Sequence, residues 1–152
     1  MPKVINLILF FMFMGKITDF MSKDHDKLDA LFETFQNTKS KDIAKAKEIY
    51  NKFKKGLERH IIWEEEILFP KFDEKYNLSG SGPTYAMKEE HKQIKALLSK
   101  IEADISSSDG AETDLLSVLG MHNHKEEMML YPGIDQALNT KETEEVLAKL
   151  SE

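Results

Sequence analysis

One phrase occurs twice in the chain and restricts its fold more than any other feature. His60-Ile-Ile-Trp-Glu64-Glu65-Glu66-Ile67-Leu68-Phe69-Pro70 is matched by His122-Asn-His-Lys-Glu126-Glu127-Met128-Met129-Leu130-Tyr131-Pro132. Each copy has a His-x3-Glu pair, a doubled acid, and then Leu, an aromatic residue and Pro in register. A second pair precedes each copy, with Met21 four residues before His25 and Met87 four residues before His91. The repeat thus places four of the five histidines and two glutamates in a symmetric set.

Hydrophobic spacing sets these residues on helices. Apolar positions recur at helical intervals in four long segments. The first runs from Ile17 to Asn37 with Met21, His25, Leu28, Phe32 and Phe35 on one stripe. The second is expected to run from an N-cap at Ser40 to about Phe69, with Ala46, Ile49, Phe53, Leu57, His60, Glu64 and Leu68 aligned. Asn77 to Pro83 is a Gly/Ser loop, and Pro83 suits the first turn of a third helix carrying Met87, His91, Ile94, Leu98, Ile101 and Ile105. Ser106 to Gly110 breaks that helix; Asp109 with Glu112 offers a capping-box-like start to the fourth, which aligns Leu115, Leu119, His122, Glu126 and Leu130. A short C-terminal helix is capped by Asn139 with Glu142. No segment alternates as a strand would. The expectation is an all-α, up-down-up-down four-helix bundle with a short C-terminal helix, in a single domain over residues 15–152.

The histidines and glutamates lie on the stripes that must face the core. Positions i and i+4 differ by about 40° around a helix, so His60 and Glu64 point the same way, as do His122 and Glu126. His25 and His91 come early in their helices, while His60 and His122 come late; antiparallel packing brings all six to a similar level. Buried ionised glutamates cost several kcal/mol each unless paired, and the stripes carry no Lys or Arg. Cations would remove that cost. Six donors exceed one tetrahedral site and suit two ions sharing bridging carboxylates. Nitrogen and oxygen donors without sulfur favour iron or manganese over copper(I) or structural zinc.

These motifs resemble the hemerythrin-like, or HHE cation-binding, family over Gly15 to Pro132: Asp24-His25-Asp26-Lys27-Leu28-Asp29, His60-x3-Glu64 with Leu68-Phe69-Pro70, Glu90-His91, and His122-x3-Glu126. The resemblance implies a non-haem di-iron centre with an oxo or hydroxo bridge. His25, His60, His91 and His122 would be ligands, with Glu64 and Glu126 bridging. Oxygen-carrying hemerythrins have a fifth histidine where this chain has Met87, and an aspartate five residues after the last histidine, where it has Glu127. The four-histidine, two-glutamate set is similar instead to the repair-of-iron-centres proteins. That implies binding or turnover of O₂, NO or peroxide in stress defence, with an electron donor or iron–sulfur protein as partner. A carrier or sensor of O₂ and a labile iron store are the alternatives. Many of those proteins have a cysteine-bearing N-terminal extension; this chain has no cysteine, so repair chemistry that needs the extension is not expected.

Other residues near the motifs have blander readings. Met21 and Met87 are expected to pack beside the site. His124, Glu65, Glu66 and Glu127 fall off the ligand face and read as solvated, while Trp63, Phe69, Phe72, Tyr85 and Tyr131 read as core or cap residues. Asp24 and Glu90 each precede a histidine and read by default as helix-surface acids, with hydrogen bonds to groups neighbouring the site as the alternative. A net charge of −6, from 21 basic and 27 acidic residues, opposes a nucleic-acid-binding role. Val4 to Met14 is apolar but too short to span a bilayer as a helix. It reads either as a signal or anchor, or as an over-extended start or packing segment, and leaves membrane attachment open for a chain otherwise expected in the cytoplasm.

Overall fold

The computed structural model describes residues 15–152, and the apolar segment 1–14 lies outside them. Helix α1 spans Lys16–Lys39 and α2 spans Ile43–Trp63. A π turn over Glu64–Leu68 leads into α3, Phe69–Lys75. Helix α4 (Pro83–Ala103) is followed by a 3₁₀ turn over Ile105–Ser107. Helix α5 (Asp109–Lys125) passes through a second π turn, Glu126–Leu130, into α6, Tyr131–Ala137. Helix α7 spans Thr140–Leu150. The described residues contain no strand, so the fold is the all-α bundle that the spacing predicts. No helix among them is long and apolar enough to cross a membrane.

Neighbouring helices run antiparallel. Early in α1, Asp24 meets His60 late in α2, whereas Phe35 late in α1 packs on Tyr50 early in α2. The apolar interior is divided in two. One cluster centres on Leu28, Phe35, Phe53, Leu57, Ile94 and Leu119, the other on Met21, Leu68, Phe69, Met87, Leu130 and Tyr131. On every long helix a candidate histidine stands between a residue of one cluster and a residue of the other. The bundle therefore has a polar layer across its middle.

Two of the long helices depart from plain α geometry. The second and fourth bundle helices are not uniform α-helices; each widens just beyond its His-x3-Glu pair, where Phe69 N–H donates to Glu64 C=O and Tyr131 N–H donates to Glu126 C=O, five residues back. The spacing explains the widening. His60, Glu64, Leu68 and Phe72 are all buried, as are His122, Glu126, Leu130 and Ile134. Three successive four-residue steps on an α-helix drift by about 120° and would swing the last residue off the core. A π turn, with more residues per revolution, cancels the drift. Pro70 and Pro132 follow each widened turn and have no N–H to return to it.

Caps also differ from expectation in places. The second helix is capped by Asp42, whose side chain accepts from Lys45 N–H at 3.0 Å, rather than by Ser40. Asp109 is the first residue of α5 and not its cap. Ser108 precedes it and donates its hydroxyl to Glu112 at 2.6 Å. The capping box of Asn139 and Glu142 forms as read, and α7 buries Val146 and Leu150 against the cluster that contains Tyr131.

Helix α1 is capped from across the bundle. Asp135 accepts from Ile17 N–H at 2.9 Å, Thr18 N–H at 3.0 Å and the Thr18 hydroxyl at 2.6 Å. A Cβ at Gly15 would lie 2.0 Å from the Asp135 carboxyl carbon, which explains glycine there. Asp135→Ala is expected to cost about 1–2 kcal/mol, read as a lower midpoint in urea unfolding. An unchanged midpoint would show that the cap adds nothing.

Candidate metal centre

The polar layer brings all six sequence-predicted donors together. His25 comes from α1, His60 from α2, His91 from α4 and His122 from α5, while Glu64 and Glu126 open the two π turns. All six are buried, Glu64 and Glu126 completely. Glu64 Oε1 lies 3.6 Å from His60 Nε2 and 3.3 Å from His91 Nε2. Glu126 Oε1 lies 3.2 Å from His122 Nε2 and 3.4 Å from His25 Nε2. Each glutamate thus faces one histidine of its own half and one of the other half.

The outer ring nitrogens show the same crossed order. His60 Nδ1 is 2.7 Å from Asp24, and His122 Nδ1 is 2.8 Å from Glu90, both within one half. His91 Nδ1 is 2.7 Å from Glu65, and His25 Nδ1 is 3.2 Å from Glu127, both across halves. A carboxylate at Nδ1 holds the ring proton there, fixes the ring's orientation and leaves the Nε2 lone pair pointing inward. All four rings are set this way. Glu65 and Glu127 are therefore not solvated charges as the spacing suggested, nor are Asp24 and Glu90 plain surface acids. Glu66 and His124 are exposed, as read.

Several inward atoms have no hydrogen-bond partner among the described residues. Glu64 Oε1, His91 Nε2 and both oxygens of Glu126 are buried without a hydrogen bond; the 3.3 Å approach of Glu64 to His91 is misaligned for one. Orphaned buried polar atoms are rare because each forfeits its hydration. Here they converge. Single donor atoms of Glu64, His91, His122 and Glu126 lie within 4.8 Å of one another, and so do those of His25, His60 and Glu126. The two groups share Glu126, and their nitrogen and oxygen donors fit divalent or trivalent first-row cations.

Residues 16–134 match the family model of the hemerythrin HHE cation-binding domain. The chain belongs to the hemerythrin family. It is 32% identical over 133 residues to a Nostoc protein named DNA nickase, a match covering 85% of this chain and 36% of that protein. It is 31% identical over 134 residues to an uncharacterised hemerythrin-like protein of Schizosaccharomyces pombe, covering 86% of this chain and 64% of that one. The hemerythrin-like chain thus spans about a third of the first relative's length and just under two thirds of the second's. No solved structure matches it.

Electrostatics in this hemerythrin-like site follow from crowding in a dry interior. Burial would push the Glu64 carboxyl up, but His60, His91 and His122 outweigh it and hold it below the usual range. Burial opposes charge on His91 too, yet Glu64 and Glu65 raise it. His122 is lowered, with burial the main cause. Met21 and Met87 are buried in the apolar cluster next to the site, as expected of packing residues. Tyr85 is instead exposed.

Tyr131 is the residue that spacing undervalued. Its hydroxyl donates to Glu64 Oε2 at 2.9 Å and lies 3.1 Å from His60 Nε2 and 3.3 Å from His25 Nε2. The signal was present in the repeat, because Leu130-Tyr131-Pro132 departs from Leu68-Phe69-Pro70 by that one hydroxyl.

The carboxylates at Nδ1 lead to a direct expectation. Asp24→Ala should weaken metal binding by about 10–100-fold, measured by competition with a chelator. The cause would be loss of ring orientation at His60, and affinity equal to the parent's would rule out that role for Asp24.

Proposed function

We propose that this chain is a non-haem di-iron protein that binds or turns over O₂, NO or peroxide in defence against oxidative or nitrosative stress. The observation carrying this reading is the pair of buried donor groups joined through Glu126, with inward atoms that no described residue satisfies. His91 and His122 with Glu64 and Glu126 would hold one ion, and His25 and His60 with Glu126 the other, with an oxo or hydroxo group between them. Reduced iron would supply electrons to a small ligand there. The protein's part is to hold the donors, exclude bulk water and prevent the imidazoles from turning. Met87, which stands where the oxygen carriers have a fifth histidine, offers ferric iron no competitive donor.

The nickase name belongs to a relative of which this chain covers 36%, and a net charge of −6 does not favour phosphate tracking. Small-molecule chemistry therefore comes first. Metal analysis with an optical spectrum of the oxidised protein should show iron and the absorption of an oxo-bridged ferric pair; a protein without bound iron would overturn the proposal. Stopped-flow mixing of reduced protein with O₂ or NO then separates functions. Consumption of the gas supports turnover, whereas a reversible spectrum without consumption identifies a carrier or sensor. Iron lost on reduction identifies a store.

Acid should oppose metal binding. His91 is raised in the metal-free site, so its protonated form contributes stability below the unfolded value of about 6.5, lost as pH climbs through the folded value. A ligand must be neutral, so binding has the opposite sign. The metal-induced rise in Tm should be small near pH 5.5 and grow towards about pH 8. A shift independent of pH would exclude histidine ligation.

A further inference from the structure

Each duplicated half supplies two histidines and one glutamate, but their Leu-aromatic-Pro runs differ by one hydroxyl. Phe69 stacks on His91 with ring centroids 5.7 Å apart and planes 11° apart. Its repeat-mate Tyr131 packs on His25, the equivalent histidine of the other half, at 5.8 Å. Phe69 brings no polar atom, whereas Tyr131 brings an oxygen into the donor layer.

We propose that Tyr131, through its hydroxyl oxygen, is a direct ligand of the cation held by His25 and His60, so that the two cation positions differ in kind. This rests on the reading of the layer as a two-cation site. A hydroxyl present only to pair with Glu64 needs one contact. The Tyr131 oxygen instead lies 2.9 Å from Glu64 Oε2, 3.1 Å from His60 Nε2 and 3.3 Å from His25 Nε2. Adjacent donors on an octahedral ion with bonds of about 2.1 Å are about 3.0 Å apart. The oxygen therefore stands from all three neighbours at the spacing of one ligand from the next. At His91 the matching place is filled by Phe69, whose ring has no oxygen to offer.

Ligation forms an oxygen–metal bond and releases the phenol proton to solvent, as other acidic ligands do on binding a cation. The cation's charge replaces the proton's. An anionic oxygen is a hard donor and favours the ferric over the ferrous state. The His25/His60 ion is then harder to reduce than its neighbour, and the pair accepts and delivers electrons unequally. This gives the two ions distinct roles towards a bound diatomic.

The test uses the full chain, parent and Tyr131→Phe, loaded anaerobically with ferrous iron and then oxidised in air, with folding checked by circular dichroism. Iron per chain, the visible spectrum and resonance Raman scattering are recorded. The parent should bind about two ions and show a phenolate-to-iron charge-transfer band with tyrosinate ring modes. Tyr131→Phe should lose the band and bind its second ion at least about tenfold more weakly while keeping the first. Tyr50→Phe, remote from the layer, should keep the band. A parent that binds two ions without the band overturns the assignment, as does a band that survives Tyr131→Phe. A parent that binds fewer than two ions overturns the two-cation reading itself, and this inference with it.

Discussion

His122→Ala is expected to lose tight metal binding and, with it, most of the stability that metal confers. His122 Nε2 lies 3.2 Å from Glu126 Oε1, and the ring's other nitrogen is held at 2.8 Å by Glu90. Alanine deletes one of four donors in its group and frees Glu90 from its partner. Metal that binds only the folded state stabilises it by about 2.7 kcal/mol at a hundredfold excess over Kd and about 4.1 kcal/mol at a thousandfold excess. A hundredfold loss of affinity would thus remove about 2.7 kcal/mol from the loaded protein. The metal-free forms should differ far less. His60→Ala should behave alike, since its ring is equally buried and equally held. Calorimetry with and without iron, alongside metal analysis, reads both quantities. Full iron occupancy in either variant would contradict the ligand assignment.

The second large effect should have opposite signs with and without metal. Both oxygens of Glu126 are buried and make no hydrogen bond among the described residues. A buried carboxylate without a hydrogen bond carries a desolvation penalty of several kcal/mol, which an apolar side chain of similar size removes. Glu126→Leu should therefore raise the urea midpoint of the metal-stripped protein. The same change removes the donor common to both groups and should abolish binding of both ions. Without metal the variant is the more stable protein, and with metal the parent is. This crossover is what a carboxylate kept for ligation predicts, and a purely structural glutamate would show neither half of it. A destabilised metal-free variant would rule it out.

Much of this arrangement was legible from the repeat. Histidines at matched distances from Met21 and Met87, and glutamates four residues beyond His60 and His122, fix the helical stripes and the level at which they meet. The π turns were not legible. Four-residue steps from His60 through Leu68 fit an α-helix over two turns and fail only when Phe72 is also required inside. The outer carboxylates were missed for a different reason. Glu65 and Glu127 adjoin the inward glutamates and point aside on their own helix, so their partners His91 and His25 become visible only once helices pack. Asp135 capping Ile17 and Thr18 is hidden likewise, being set by tertiary approach and not by local pattern.

The crossed pairing has one more consequence. A single helical hairpin holds one inward glutamate and two imidazoles, yet one of those rings is steadied by an acid from the opposite hairpin. Neither hairpin owns a finished socket. Alone, such a unit could complete its coordination sphere only by meeting its own twin, and tethering the twins in one polypeptide makes that encounter intramolecular. It also lets the copies diverge, so that one twin can carry a phenol where the other keeps a bare ring.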